Sequence, residues 1–98
     1  MDINFEDITN NNPLYEFCKK ILSYKIALEC DKRYLFLASL VSADRLINKE
    51  RCIESMEKIK FLIDNIELFD LNDKIKKDTL SFLNSGLEIV ERDLASFN

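Results

Sequence analysis

Apolar residues recur at helical spacing along most of the chain, most regularly in its second half. The first regular run steps by 4, 3, 4 and 3 residues through Cys52, Met56, Ile59, Ile63 and Ile66, and Ile53 and Leu62 widen it into a stripe. The second steps by 3, 4, 3 and 4 residues through Leu80, Leu83, Leu87, Val90 and Leu94. These steps are typical of a helix that lays one face on a core. Each run therefore predicts an amphipathic helix.

The first half also has a helical pattern, but it is too long for one helix. A helix start is indicated by Asn12 as N-cap and Pro13 at the first helical position. The pattern then continues to about Leu46 without a Gly or Pro. One helix of that length would extend about 50 Å, more than the diameter of a small domain. We expect a break near Ser23–Tyr24 or near Glu29–Lys32.

Polar residues mark the other boundaries. Asn48 is the predicted N-cap of the third helix, and Asn72 of the last one, where Asp73 would lie at the positive end of the helix dipole. Gly86 falls inside the last run, where glycine costs up to about 1 kcal/mol in helix propensity. Two interpretations stay open for Gly86: a tolerated cost, or a close approach between helices.

These elements predict an all-α fold, an antiparallel bundle of three to four helices. The chain of 98 residues contains one Gly and one Pro, which suits long helices and short connections. Residues 1–12 are polar with isolated Ile3, Phe5 and Ile8, and we interpret them as an N-terminal arm. Residues 13–98 form the single predicted helical domain.

The stretch KRYLFLASLV, residues 32–41, is apolar on most sides of a helix. After Lys32 and Arg33, seven of the next eight residues are apolar or aromatic. Such a helix is central in a bundle or is covered by a partner. We expect the most buried helix of the bundle here, with Phe36 and Leu40 on the side that the chain covers least. Tyr34, Phe36 and Leu40 are the predicted face for self-association or for a partner.

Charge and hydropathy narrow the class of partner and the compartment. The net charge of −4 disfavours direct binding to nucleic acid, which needs clustered Lys and Arg, and suits a basic protein partner. The sequence has no uncharged run of 18 residues, so we expect no membrane span. It does not open with a basic segment followed by an apolar one, so we expect no signal peptide. The prediction is a cytoplasmic protein whose partner is another protein, or a second copy in a homodimer.

The residues of catalysis are scarce. Histidine is absent, which removes the commonest general base and metal ligand, and one Gly cannot build a phosphate-binding loop. The three cysteines are odd in number and are not spaced as zinc ligands, so buried free thiols in a reducing cytosol are expected for Cys18, Cys30 and Cys52. Glu50, Glu54 and Glu57 lie among basic residues and predict a solvated face. We therefore predict no enzyme activity, no catalytic residue, no cofactor and no metal.

An acidic turn precedes the last helix. Asp64, Glu67, Asp70 and Asp73 fall within ten residues, without a Lys or Arg between them. One interpretation is a solvated turn whose last acid favours the helix start. The other is a partner-binding surface that meets a basic protein. Glu67 and Asp70 are three residues apart, so both side chains can project on one side.

Two segments resemble a known family. Residues 24–46, YKIALECDKRYLFLASLVSADRL, resemble the central helix of small helical immunity proteins that protect bacteria against toxins delivered by type VI secretion. The turn from Glu67 to Asp73 is similar to an acidic turn before that family's last helix. The matching positions of the first segment are Tyr24, Leu28, Lys32, Leu35, Ser39 and Leu40.

The resemblance implies a cytosolic, non-enzymatic inhibitor that binds and neutralises a cognate interbacterial toxin. Two alternatives remain from the residues alone. One is a phage anti-CRISPR or anti-defence inhibitor that acts through an acidic surface. The other is a homodimeric structural or assembly protein that uses residues 34–41.

Overall fold

A computed structural model describes residues 13–97 of the chain, which contain four α-helices and no strand. The helices are α1 (Pro13–Glu29), α2 (Arg33–Leu40), α3 (Lys49–Asp64) and α4 (Asp73–Ala95). Two 3₁₀ turns connect them, Ala43–Leu46 before α3 and Ile66–Phe69 before α4. The all-α prediction is confirmed. The proposed arm, and Asn12 as a cap, lie outside the described residues.

Side-chain caps start the two long helices of the second half, as predicted. The Asn48 side chain accepts a hydrogen bond from the backbone N–H of Arg51 at 2.9 Å. Asn72 accepts one from the N–H of Ile75 at the same distance. Both Asn residues have extended backbone, so each satisfies an N–H group that the first turn leaves unpaired.

The long helical pattern of the first half breaks between Glu29 and Arg33, the second of the two expected positions. The chain also leaves the helix after Leu40, so residues 24–46 are not the single central helix that the resemblance implied. The Arg45 side chain stabilises this second break, because its Nη1 donates to the carbonyls of Val41 and Ser42 at 3.0 and 2.9 Å.

Helices α3 and α4 pack antiparallel. Cys52, near the start of α3, donates its thiol to the carbonyl of Val90, near the end of α4, at 3.5 Å. Ile59, two turns after Cys52 in α3, lies against Gly86, one turn before Val90 in α4. The residue numbers therefore run in opposite directions along the contact.

The contact surfaces differ by a partial turn from the predicted apolar seams. Met56, Ile63, Leu80, Leu87 and Leu94 are only partly buried at its margins. Small and polar residues lie at the centre of the contact between α3 and α4, because they let the two backbones approach closely. The buried positions are Cys52, Ser55, Ile59 and Leu62 of α3 and Thr79, Leu83, Gly86 and Val90 of α4.

Gly86 is a close-approach glycine, the second of its two interpretations. A Cβ atom at this position would lie 2.8 Å from Cγ2 of Val41, the residue that ends α2, and 3.7 Å from Cδ1 of Ile59. The first of these distances is shorter than van der Waals contact. Glycine therefore lets the end of α2 rest on the middle of α4.

Helix α2 is not more buried than α3, so the prediction that residues 32–41 form the most buried helix is not confirmed: two of its eight residues are buried, against four of 16 in α3. Within α2 only Leu37 and Leu40 are buried, whereas Tyr34 and Leu35 are 48% and 70% exposed. Leu40 is 5% exposed and belongs to the core, so it does not lie on the least covered side. The helix has eight residues and crosses the others on one face, which leaves its opposite face in solvent.

No helix of residues 13–97 is long and apolar enough to span a bilayer.

Candidate functional site

An apolar groove lies between α1 and α2. Because only three residues separate these helices, their adjoining ends diverge and leave a depression of ≈ 410 Å³. We name it the α1–α2 groove. Its lining residues are Ala27, Cys30, Lys32, Leu35, Phe36 and Ser39.

Exposed aliphatic side chains extend this groove along α1. Leu22, Ile26 and Cys30 follow one another at intervals of four residues and form a row along α1. Leu22 is 48% exposed and Ile26 is 64% exposed. Residues four apart share a helix face. Leu35 of α2, 70% exposed, continues the row across the groove. Contiguous exposed apolar surface of this kind marks interaction sites in soluble proteins.

Tyr24 connects the groove to the acidic turn. Its ring lies 5.3 Å from that of Phe36, which lines the groove, and 6.5 Å from that of Phe69 in the second 3₁₀ turn, where the two rings are stacked. Burial raises the pKa of the Tyr24 phenol above its ordinary value. The acidic turn and the α1–α2 groove therefore flank one aromatic residue.

The four acidic residues of the turn are all exposed. Asp64 ends α3, Asp73 begins α4, and Asp70 adopts a left-handed conformation with φ of 50° that closes the 3₁₀ turn. Glu67 forms an ion pair with Lys76, which the first turns of α4 bring back beside it. The turn itself contains no basic residue, but the direction of α4 places Lys76 beside Glu67.

The three residues predicted as one partner face are separated by the structure. Phe36 points toward Tyr24 on the α1 side, and Leu40 is buried in the core. Tyr34 faces α4, with its ring 6.3 Å from that of Phe82. Arg33 lies over the Tyr34 ring and pairs with Asp78 of α4 at 3.8 Å. This second depression, ≈ 340 Å³, is lined by Tyr34, Asp78, Ser81, Phe82 and Ser85, and we name it the Tyr34 cleft.

A third depression, ≈ 500 Å³, lies between the first turns of α1 and the end of α3. We name this depression the phenyl groove. The rings of Phe17 and Phe61 are 5.8 Å apart, and the Lys20 ammonium stands 4.0 Å from the centre of the Phe61 ring. The phenyl groove is lined by Glu16, Phe17, Lys19, Lys20, Ser23 and Phe61.

Leu22, Ile26 and Cys30 were missed as candidate surface residues by sequence reasoning. A signal existed, because α1 carries apolar residues on two sides: Cys18 and Leu28 are buried, whereas Leu22 and Ile26 are not. A helix with more apolar residues than one buried face needs has a second surface to cover.

The positions of the family resemblance divide into two groups. Lys32, Leu35 and Ser39 line the α1–α2 groove. Leu28 and Leu40 are buried in the core, and Tyr24 packs against it. Half of the resemblance therefore describes surface and half describes packing.

The thiols differ in their surroundings. All three are free, and Cys18 and Cys52 are buried as predicted. The prediction of a buried thiol is wrong for Cys30, which is exposed where α1 ends. Burial and the Asp93 carboxylate raise the pKa of the Cys52 thiol, against a smaller opposite effect of Arg45. Among residues 13–97, no group of three or more Cys, Asp or Glu is placed to hold a metal ion.

The described part of the chain is almost neutral. Three of the 18 acidic residues, Asp2, Glu6 and Asp7, precede Pro13, so residues 13–97 carry 15 acidic side chains against 14 basic ones. The arrangement offers a shaped apolar surface with charges of both signs, which is suited to protein contact. The chain matches no protein-family model, and no curated protein or solved structure shows significant similarity to it.

Proposed function

We propose that this protein is a non-enzymatic inhibitor of the immunity type, which neutralises a cognate bacterial toxin in the cytoplasm by direct binding. The α1–α2 groove is the contact surface in this proposal, and the acidic turn forms its charged edge beyond Tyr24. The observation that carries the proposal is the set of exposed aliphatic residues at the apolar depression: Leu35 lines it and is 70% exposed, and Leu22 and Ile26, exposed at 48% and 64%, lie on α1 at helical spacing from its lining residue Cys30.

Burial of this row would contribute to the free energy of binding. Covering an exposed Leu or Ile side chain contributes about 1.5–3 kcal/mol at most, and these three are already partly covered. A few central apolar anchors carry most of the affinity in protein interfaces. The resemblance supports the same surface, since Lys32, Leu35 and Ser39 all line the groove.

The acidic residues play a smaller part than a nucleic-acid mimic would require. Glu67 is paired with Lys76, and the helical domain is nearly neutral. An inhibitor that occupies a nucleic-acid channel needs an extended negative surface. The anti-CRISPR or anti-defence alternative therefore ranks below a toxin-binding inhibitor.

Self-association through the same groove is a second candidate function. The charges near it are balanced, with Lys25 and Lys32 against Glu29 and Asp31. An isologous dimer brings each patch against a copy of itself, so a balanced rim avoids repulsion. Sedimentation separates the two candidates: a monomer at high micromolar concentration removes the homodimer.

The decisive experiment is co-purification from the native host, followed by affinity and toxin-protection measurements on surface variants. Ile26→Glu should abolish binding and protection. Ile47→Glu is the matched control, because Ile47 is 65% exposed in comparison with 64% for Ile26 and lies next to the first 3₁₀ turn. Equal losses from both variants would remove the groove as the contact surface.

The acidic turn is tested separately. Asp70→Lys together with Glu67→Lys should weaken binding less than tenfold, since both residues lie at the solvated edge, and should reduce the loss of affinity on adding salt. Unchanged affinity would restrict the contact to the groove and leave the acidic residues as a solvated turn.

A further inference from the structure

The start of α2 lacks the features that stabilise the starts of α3 and α4. Its N-cap residue, Lys32, makes no side-chain hydrogen bond to the first turn, whereas Asn48 and Asn72 cap the other two helices. Lys32 and Arg33 also place two positive charges at the positive end of the helix dipole, with one acid, Asp31, before them. Eight residues are fewer than an isolated helix needs in water, so α2 depends on its packing.

The packing that holds α2 is confined to one side of the helix. Leu37 and Leu40 are its two buried residues, and the partly buried Phe36 adds a ring contact to α1. The ion pair of Arg33 with Asp78 is long, at 3.8 Å, and no acceptor within residues 13–97 pairs with the buried Nε of Arg33. A partly exposed pair at this distance contributes little. Two leucines and one ring are therefore the main attachment of α2.

The other three helices have contacts that do not involve α2. The Tyr24 ring of α1 lies 5.8 Å from that of Phe61 in α3 and 6.5 Å from that of Phe69 in the second 3₁₀ turn. The Cys52 thiol of α3 donates to the carbonyl of Val90 in α4. These contacts can persist when α2 leaves the core.

The segment that can move has defined limits. A turn at residues 30–32 separates it from α1. Beyond the helix, the Arg45 side chain donates to the carbonyls of Val41 and Ser42 and pairs with Asp93 of α4 at 2.7 Å. The chain after α2 is therefore fixed to α4, and the movable part is α2 itself.

We infer that α2 detaches from the core as a cooperative unit while α1, α3 and α4 remain folded together. Segments with few buried contacts open at a lower free energy than the core does. Four of the six residues that line the α1–α2 groove belong to α2 or its N-cap: Lys32, Leu35, Phe36 and Ser39. The groove therefore exists only while α2 is docked, and any ligand that fills it shifts the equilibrium toward the docked state.

Native-state hydrogen exchange of the protein alone tests the inference independently of the proposed function. The amides of residues 37–40 should share one opening free energy, with a smaller urea dependence than the amides of residues 83–90 in α4. Their protection factors should be at least about tenfold lower. Opening free energies and urea slopes equal to those of α4 would overturn the inference. So would exchange of residues 37–40 without any urea dependence, because it would show local fraying instead of the opening of a unit.

A substitution outside α2 separates its opening from global unfolding. Asn72→Ala removes the cap of α4, which stays folded while α2 is detached. Exchange of residues 83–90 should therefore become about fivefold faster, and exchange of residues 37–40 should not change. Equal acceleration of both groups would show that α2 opens only when the whole protein unfolds, which contradicts the inference.

A substitution within α2 gives the complementary result. Leu35 is 70% exposed, so Leu35→Gly and Leu35→Ala remove the same side chain with little loss of packing and differ mainly in helix propensity. Relative to Leu35→Ala, Leu35→Gly should accelerate residues 37–40 and residues 83–90 alike, by about fivefold, because it destabilises the native state against both openings. No acceleration of residues 37–40 would mean that their exchange does not require α2 to unfold, and would overturn the inference.

Discussion

Gly86 illustrates how one residue sets the distance between elements. Its missing Cβ is what lets Val41 lie against the α4 backbone, and Ile59 of α3 packs beside it. Glycine in a helix interior lowers helix stability by about 1 kcal/mol relative to alanine. The closer packing of α2 on α4 offsets that cost at this position.

Gly86→Ala should destabilise the protein by about 1 kcal/mol, measured by urea denaturation. The added methyl group improves helix propensity but overlaps Cγ2 of Val41, a side chain with few rotamers, and overpacking costs about 1–3 kcal/mol. In a Val41→Ala background the overlap is gone, so the same change should be neutral or stabilising. Equal effects in both backgrounds would show that Val41 does not limit the space at Gly86.

Thiol reactivity should separate the three cysteines. Under native conditions one thiol, that of Cys30, should react rapidly with Ellman's reagent, because Cys18 and Cys52 are 1% and 0% exposed. The raised pKa of Cys52 lowers its thiolate fraction further. Cys30→Ser should remove the fast phase. A fast phase that persists in this variant would mean that a buried cysteine is accessible.

Helix α2 is an element of eight residues whose position depends on contacts beyond its own length. Arg45 follows it and connects the end of α2 to α4. Its side chain donates to the carbonyl of Val41 after α2 and pairs with Asp93 of α4 at 2.7 Å. The two side chains are 18% and 22% exposed, so solvent screens the pair only in part. A chain break that has no Gly or Pro is stabilised here by a side chain.

A double-mutant cycle should measure the strength of this connection. Arg45→Met and Asp93→Asn should each cost about 1–3 kcal/mol, with a coupling energy of about 1 kcal/mol or more, because the ion pair is partly buried and hydrogen-bonded. Arg51 and Glu54, paired at 3.3 Å on the exposed face of α3, are the control. Their coupling should be about 0.5 kcal/mol or less. Similar couplings for the two pairs would contradict a special role of Arg45.

At the scale of the whole molecule, aromatic rings join elements that are distant in sequence. Tyr24 of α1 contacts Phe36 of α2, Phe61 of α3 and Phe69 of the second 3₁₀ turn. Packing of this kind adds about 0.5–1.5 kcal/mol per pair beyond the area that it buries. The cluster keeps the α1–α2 groove and the acidic turn in a fixed relation.

Stability should fall in alkaline solution. The pKa of Tyr24 is raised above 10.0 and that of Cys52 above 9.0 in the folded protein. The unfolded chain therefore loses these protons first as the pH rises. The contribution of these two groups is complete below about pH 9 and is lost as the pH rises through their raised pKa values in the folded protein. Tyr24→Phe should reduce the slope of unfolding free energy above pH 10. A slope that Tyr24→Phe does not change would exclude burial of this phenol as a cause.

The residues that were predictable from sequence are those whose effect is local. Asn48 and Asn72 cap the helices that follow them, and Pro13 opens α1 as expected. Capping depends on a side chain and a backbone group three residues away, so a short segment contains the whole cause. The free state of the three cysteines was expected, but the exposure of Cys30 was not indicated by its neighbours in sequence.

The candidate site was predictable only in part, because most of it depends on contacts between segments that are distant in sequence. The acidic turn was visible as a run of carboxylates, but the ion pair of Glu67 with Lys76 required the direction of α4. The row of Leu22, Ile26 and Leu35 required the angle between two helices and the knowledge of which faces stay uncovered. Leu40 shows the reverse error, since apolar character alone does not distinguish core from surface.

By itself the sequence determined an all-α chain, the starts of α1, α3 and α4, the caps of α3 and α4, and the scarcity of catalytic side chains, because periodicity and composition act over a few residues. The tertiary structure decided which break the first half uses, which stripe of each helix is buried and which apolar residues remain in solvent. Those outcomes depend on close approach at Gly86, on the Arg45–Asp93 pair and on the ring cluster around Tyr24. Each of these contacts joins residues that are far apart along the chain.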